Sequence, residues 1–502
     1  MSKFATYLKE LLDAHGEPIA SVARGSGVER TSIHKALKDE RTLSYMALRS
    51  LAQYLQLSLP QVRELNERYE MLIQGEEAYL VQGAICDTLL DLARLHVSTE
   101  ETTQLPSGSG TELAEGVVTG SVRVRSVLRE VLACGAGESG TRGEKNGAHD
   151  EKNGARHGEV LLYLPSEGAP TDALLSLWRD APEDLCVRQL VSLVPDRTDR
   201  EARVRNLEVV RQLLQLSLMS RGRFFCYGFY GVAEDAGSVE PLPYFVVSGE
   251  WLVRLDAKLT VAHVTRDRAL VRLYRESLER VQRECRQLNT YSDDVLGTLE
   301  AYMSATDEDG YYTIMTQPCL GHYYTREVIE EHVRPEVPMR DVVVDVADCR
   351  FERLRALRRS YYTVFTEEGL RQFADDGVLV DFPSQMVRHM SRDRRLQILR
   401  DFRDDVASGE VTGLVADPTA LSVPPYLTIT ADPHHGLHVY ATEGYARGAY
   451  TCNLHIDEGG IGQSFCQFIR SLPGSRYVYS RERTLELLDD VVAGLEARAG
   501  EA

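Results

Sequence analysis

Residues 19–37 read IASVARGSGVERTSIHKAL, and this stretch constrains the chain more than any other. Two short helices that cross closely need a small residue at the crossing and a glycine in the tight turn. They also need apolar residues that lock the second helix onto the first. Ala23 fits the crossing, Gly27 fits the turn four positions on, and Val28 and Ile33 fit the lock. The spacing predicts helices over 19–24 and 29–37 around a Gly25-Ser26-Gly27 turn. Upstream, residues 3–14 (KFATYLKELLDA) put Phe4, Tyr7, Leu8, Leu11 and Leu12 on one helical face. His15-Gly16 stops that helix, and Pro18 suits the first turn of the next. After a charged turn at 38–42 the apolar period resumes over 43–55, and Leu57, Leu59, Val62 and Leu65 continue it.

These two blocks resemble the helix-turn-helix of the lambda-repressor/Cro (Xre) family. The resemblance runs through LSYMALRSLAQYLQLSLPQVREL, where Leu48, Leu51, Ala52, Leu55 and Leu57 match the family's fourth helix and the turn after it. It covers roughly residues 4–66. It implies that 29–37 is a recognition helix whose amino-terminal part enters the major groove of double-stranded operator DNA. Arg30 and Thr31 are then the candidates for base edges, since arginine can grip guanine through two hydrogen bonds. Ser32, His34, Lys35, Lys38 and Arg41 are candidates for bases or phosphates near the groove edge. The chain departs from the family at Ile19, where a phosphate-gripping glutamine is usual. Gly25 also weakens its helix by about 1 kcal/mol relative to alanine.

The net charge of the chain is −19, and its distribution matters more than its size. Residues 1–50 hold eight Lys/Arg and six Asp/Glu, leaving +2 there and −21 on the remainder. An acidic body repels DNA except at the mildly basic head, so base contacts decide the site. The nine cysteines are scattered with no CxxC pair, which argues against a disulfide framework or a zinc ribbon and suits a reducing cytoplasm. The first residues lack the continuous apolar segment of a signal peptide, and no run of about 18 apolar residues predicts a membrane span.

From 60 to about 95 the pattern predicts one or two long helices with Leu72, Leu80, Ile85, Leu89 and Leu92 as the stripe. The stripe fits packing against the head or a dimer seam equally well. Residues 97–116 read as a loop, and 117–134 as a strand or short helix. A glycine- and charge-rich insertion follows, with EKNGA at 144–148 and again at 151–155, and its composition predicts disorder.

The expected domains are thus a helix-turn-helix head (1–66), a helical connector (67–96), a loop and insertion (97–158), and an α+β body (159–502). In the body, strands are predicted at 160–164 and 186–194, with helices at 172–178 and 204–218. A hairpin at 244–247 and 251–255 precedes a helix at 269–285. A hairpin at 426–430 and 437–441, a strand at 450–456 and a helix at 463–472 repeat that order, which hints at two related halves. The order resembles phospholipase-D-like sensor domains of some bacterial regulators. No His-x-Lys pair occurs, so the resemblance implies a binding domain rather than a phosphodiesterase.

Other constellations carry less. Asp432-Pro433-His434-His435-Gly436-Leu437-His438 is a turn, so the four-residue spacing of His434 and His438 is not that of a helical metal pair, although His438 and His455 can approach. Cys319 lies three residues before His322, and Thr325 marks a helix start. Tyrosine pairs recur at 311–312, 323–324 and 361–362, as at strand edges. Asp307-Glu308-Asp309 and Asp404-Asp405 lack EF-hand spacing and read as solvated loops. No catalytic motif, metal site or cofactor loop is found.

The fold expected is multidomain: an all-α head, a helical connector and a large α+β body with mixed sheets. The function expected is a homodimeric transcriptional regulator without enzymatic activity, whose body senses a ligand or a protein partner. A tethered enzyme and a scaffold or immunity-type interaction protein are the alternatives.

Overall fold

A computed structural model describes residues 1–98, 113–137, 158–165, 171–179, 185–195, 202–231, 240–294, 310–357, 359–380, 382–442 and 451–497. The chain divides into two compact units, Met1–Gly83 and Ala84–Ala502.

The first unit is all helical. It contains α1 (Lys3–His15), α2 (Ile19–Ser26), α3 (Arg30–Leu37), α4 (Tyr45–Tyr54) and α5 (Leu59–Gln74). The Ser2 and Ser44 hydroxyls cap α1 and α4 by accepting from Ala5 and Ala47 amides. Phe4, Leu8, Val22, Ile33, Leu48, Leu51 and Leu65 are wholly buried and form one core. Tyr69 joins that core and its hydroxyl donates to the Leu43 carbonyl at 2.6 Å, so the compact head continues past residue 66.

The turn between α2 and α3 is shorter than the sequence predicts. Gly25 and Ser26 are helical, and Gly27 alone takes the left-handed conformation, at φ 72°. Gly25 serves packing instead, since a Cβ there would lie 2.0 Å from the Tyr54 ring.

The next helix, α6 (Glu76–Ser98), contains the division between the units. The predicted apolar stripe does not stay together. Leu72 packs on the head core, whereas Ile85, Leu89 and Leu92 are wholly buried within the single chain. Those three side chains are therefore not available as a dimer seam.

The second unit holds two mixed sheets. The first contains β1 (Gly116–Thr119), β2 (Glu159–Tyr163), β3 (Cys186–Leu193), β4 (Phe224–Tyr230), β5 (Tyr244–Ser248), β6 (Trp251–Leu255), β7 (Val261–Thr265) and β8 (Arg286–Gln287). Its order is β1-β7-β6-β5-β2-β3-β4-β8. The second contains β9 (Asn289–Ser292), β10 (Tyr311–Ile314), β11 (Tyr361–Phe365), β12 (Thr412–Val415), β13 (Leu427–Asp432), β14 (Gly436–Ala441) and β15 (Cys452–Ile456), in the order β12-β11-β10-β13-β14-β15-β9.

The two sheets share one plan. In each, three strands pair in parallel, and the next three continue from the first of them as an antiparallel meander. A helix follows each meander, Arg268–Glu284 in the first and Gly459–Ser471 in the second. The chain then returns antiparallel beside the third parallel strand, as β8 beside β4 and as Val478 beside Ala416. At the opposite edge, β1 and β9 extend their meanders in the same antiparallel sense.

The sheets differ in what covers them. In the first, the helix Arg268–Glu284 packs on the face bearing Leu161, Val247 and Leu252. Another helix, α7 (Ser121–Gly137), lies against β1, β2, β5 and β7, with Val124, Leu128 and Val131 wholly buried. In the second, five helices build the core on one face of the parallel strands: Arg326–His332, Arg340–Ala356, Glu367–Asp376, Arg481–Ala497 and Arg392–Ser408. The last of them corrects one expectation. Asp404 and Asp405 sit on a helix rather than in a loop, because Ile398, Leu399, Phe402 and Val406 form its buried stripe. Asp307-Glu308-Asp309 and both EKNGA copies lie outside the described residues. Among the described residues no helix is long and apolar enough to cross a membrane.

Candidate nucleic-acid interface

The geometry of α3 sorts its side chains into two sets. Ile33 is wholly buried and Ala36 nearly so, and they seat the helix on the head core. Arg30, Thr31 and Lys35 are exposed on α3, and Lys38 and Arg41 are exposed just beyond it. Ser32 and His34 are half-buried on its flanks. The Arg30 Nε donates to His34 Nε2 at 3.4 Å, one helical turn away. That contact makes the His34 ring nitrogen an acceptor and orients the guanidinium along the helix. All seven residues predicted from sequence thus fall on one short segment.

Two further contacts hold this segment and a third ties α4 to α2, and motif spacing did not reveal them. The Ser2 amide and hydroxyl donate to the Asp39 carboxylate at 2.6 and 2.5 Å. The Ser2 hydroxyl is the main reason that the Asp39 carboxyl titrates below its usual range. Asp39 also takes a positive φ of 57°, which aspartate tolerates better than most residues. Tyr54 supplies the third contact, its hydroxyl donating to Glu17 at 2.9 Å while its ring lies over Gly25. Ile19, at the position of the family's glutamine, packs partly buried against the core.

Two other clusters named from sequence are also placed. His438 and His455 are paired residues of β14 and β15, and their rings stack. The His455 Nε2–H donates to the His435 carbonyl at 2.7 Å, which leaves Nδ1 as its acceptor. Burial, and then the neighbouring His455, holds the His438 imidazole down to about 3. Cys319 and His322 are both buried; the Cys319 Sγ lies 3.5 Å from the Tyr311 hydroxyl, and the His322 Nδ1 lies 3.3 Å from the Leu354 carbonyl. The tyrosines at 311–312 and 361–362 face each other across β10 and β11, with the Tyr312 and Tyr362 rings stacked at 5.2 Å. Among the described residues, no group of three or more His, Cys, Asp or Glu could hold a metal ion.

The second unit also contains a groove of about 920 Å³ beside Glu367–Asp376, with Arg371, Asp375, Leu421 and Tyr479 among its walls. No known protein family matches this chain, and no curated protein matches it.

Proposed function

We propose that the chain is a sequence-specific DNA-binding regulator whose head reads an operator through α3 and whose body responds to a ligand or partner. One observation carries this reading. A short helix is fixed by the buried Ile33 and Ala36 while Arg30, Thr31 and Lys35 face solvent beside Lys38. Such a helix can lie in the major groove and offer donors to base edges and phosphates together. The acidic remainder of the chain restricts DNA contact to that surface. A homodimer would let two such helices read a palindrome about one helical turn apart.

The body lacks the His-x-Lys pair expected of a phospholipase-D-like enzyme, so we read it as a binding domain. The test is enrichment of genomic fragments by the full chain at low salt, with Arg30→Ala alongside. Wild type is expected to enrich a defined set that Arg30→Ala does not. Enrichment of nothing beyond bulk DNA would end this reading.

A further inference from the structure

The groove beside the helix Glu367–Asp376 lies beyond the carboxyl ends of two parallel strands. β11 ends at Phe365 and β12 at Val415, and the next residues, Thr366 and Ala416, both line it. The crevice outside the carboxyl ends of the strands is where open α/β sheets bind ligands. Its volume of about 920 Å³ gives room for a small organic molecule rather than for a lone ion.

The lining divides by chemistry. The helix contributes four carboxylates, Glu367, Glu368, Asp375 and Asp376, against one guanidinium, Arg371. The segment after β12 contributes Pro418, Leu421 and Val423, which are apolar. Arg371 is engaged within the helix, its Nε and a terminal nitrogen donating to Glu367 Oε1 at 3.0 and 2.9 Å. The start of the helix is closed as well, since the Thr366 hydroxyl accepts from the Gly369 amide and Glu367 and Glu368 occupy the first turn. An anion therefore meets carboxylates instead of the open amides and positive end that a helix start otherwise offers.

The carboxylates are also spaced. Eight residues separate Glu367 from Asp375 and Glu368 from Asp376, which places the two pairs about 12 Å apart along the helix. Among the described residues, no three of these groups converge as metal ligands would. Negative charge at both ends of one wall, with apolar side chains across the same groove, matches a methylene chain that carries an ammonium at each end. Tyr479, half-buried in the lining, adds an aromatic ring of the kind that attracts ammonium groups. We propose that this groove binds a linear aliphatic polyamine of the putrescine and spermidine class.

This names the effector class for the body of the regulator proposed above, and it rests on that reading only for its consequence at DNA. Binding is measured on the full chain without DNA, by calorimetry with putrescine and spermidine. Magnesium chloride and butanediol serve as the comparisons for charge alone and for the uncharged chain. Spermidine is expected to bind more tightly than putrescine, because its length reaches both carboxylate pairs, and neither comparison is expected to bind. Glu368→Gln and Asp375→Asn are each expected to weaken spermidine by about three- to fivefold. Glu368→Asp, which keeps the charge, is expected to retain most of the affinity, and Asp13→Asn in the head all of it. Absence of binding by both amines overturns the proposal, as does magnesium or butanediol binding as tightly as spermidine. Spermidine binding that survives both charge-removing variants overturns the location, and equal loss in Glu368→Asp and Glu368→Gln overturns the role of charge. Failure of the operator test with polyamine binding intact would reject the DNA reading alone.

Discussion

The imidazole rings of His438 and His455 lie parallel within 3°, with centroids 4.2 Å apart. Two stacked imidazoles cannot both carry a proton cheaply in a partly desolvated site. The groups facing His438 are His455, Asp432, Arg350 and His435, and of these only Asp432 favours its charged form. Its folded-state value of about 3 is below the ordinary histidine value of about 6.5. The unfolded chain therefore takes up this proton first as pH falls. Stability from the neutral ring is fully present above about pH 6.5 and is lost progressively towards about pH 3, by on the order of a few kcal/mol. His438→Gln should flatten that part of the pH dependence, as measured by denaturant unfolding between about pH 7 and about pH 4. An unchanged slope would contradict the assignment.

Arg30 and Lys35 should fail differently at DNA. Arg30→Ala is expected to cost about 1–3 kcal/mol at the preferred site and to relax selectivity at one base pair. Lys35→Ala should weaken all sequences alike and reduce the salt slope by about 1. Fluorescence anisotropy across a salt series, on the selected site and on a scrambled one, separates the two. Equal loss of selectivity in both variants would show that the roles are misassigned.

Gly25 is held at odds with its helix by Tyr54. Alanine should gain about 1 kcal/mol of helix propensity. A Cβ at 2.0 Å from the ring must displace Tyr54, and its hydrogen bond to Glu17 goes with it. Gly25→Ala alone should be neutral or destabilising, whereas the same change in a Tyr54→Ala background should stabilise the head by about 1 kcal/mol. Hydrogen exchange at the Ile33 and Leu48 amides reads the local stability. Gains of equal size in both backgrounds would remove Tyr54 from the explanation.

Glu159 opens β2 with its carboxylate almost fully buried, 2.5 Å from Arg275 on the helix Arg268–Glu284 and 3.4 Å from Arg188 on β3. Glu159→Ala leaves two guanidiniums without that carboxylate in a site of low solvent access. The expected loss is about 3–5 kcal/mol in denaturant unfolding. A loss below about 1 kcal/mol would mean that water reaches both arginines.

Local chemistry made the head legible. Ala23, Gly27 and Ile33 lie within eleven positions of one another, and the contacts they make are between adjacent helices. The hairpin of β5 and β6 was legible for the same reason, since Ser248 and Trp251 pair across a two-residue turn. In the second sheet the hairpin of β13 and β14 and the strand β15 were legible too, whereas the parallel strands β10, β11 and β12 were not. Strands such as β10 (YYTI) and β12 (TGLV) have four residues each, too few to alternate visibly, and their partners lie about fifty residues away. The helix Arg392–Ser408 was missed for another reason. Charges dominate its sequence, yet the spacing of Ile398, Leu399, Phe402 and Val406 would have identified it. Likewise, the spacing of the apolar stripe at 72–92 was visible, but not that its members divide between two compact units.

Two copies of one strand plan joined in a single polypeptide free each copy from the other's sequence. In an assembly of identical subunits, a histidine gained at one position appears at every symmetric position and must be tolerated there. Here Val264 and His455 stand on the corresponding third strands of the two meanders, so one copy can hold an apolar row while the other holds a stacked histidine pair. Substitutions around Val264 should therefore be limited by its apolar row, and those around His455 by the stack with His438 and the bond to the His435 carbonyl.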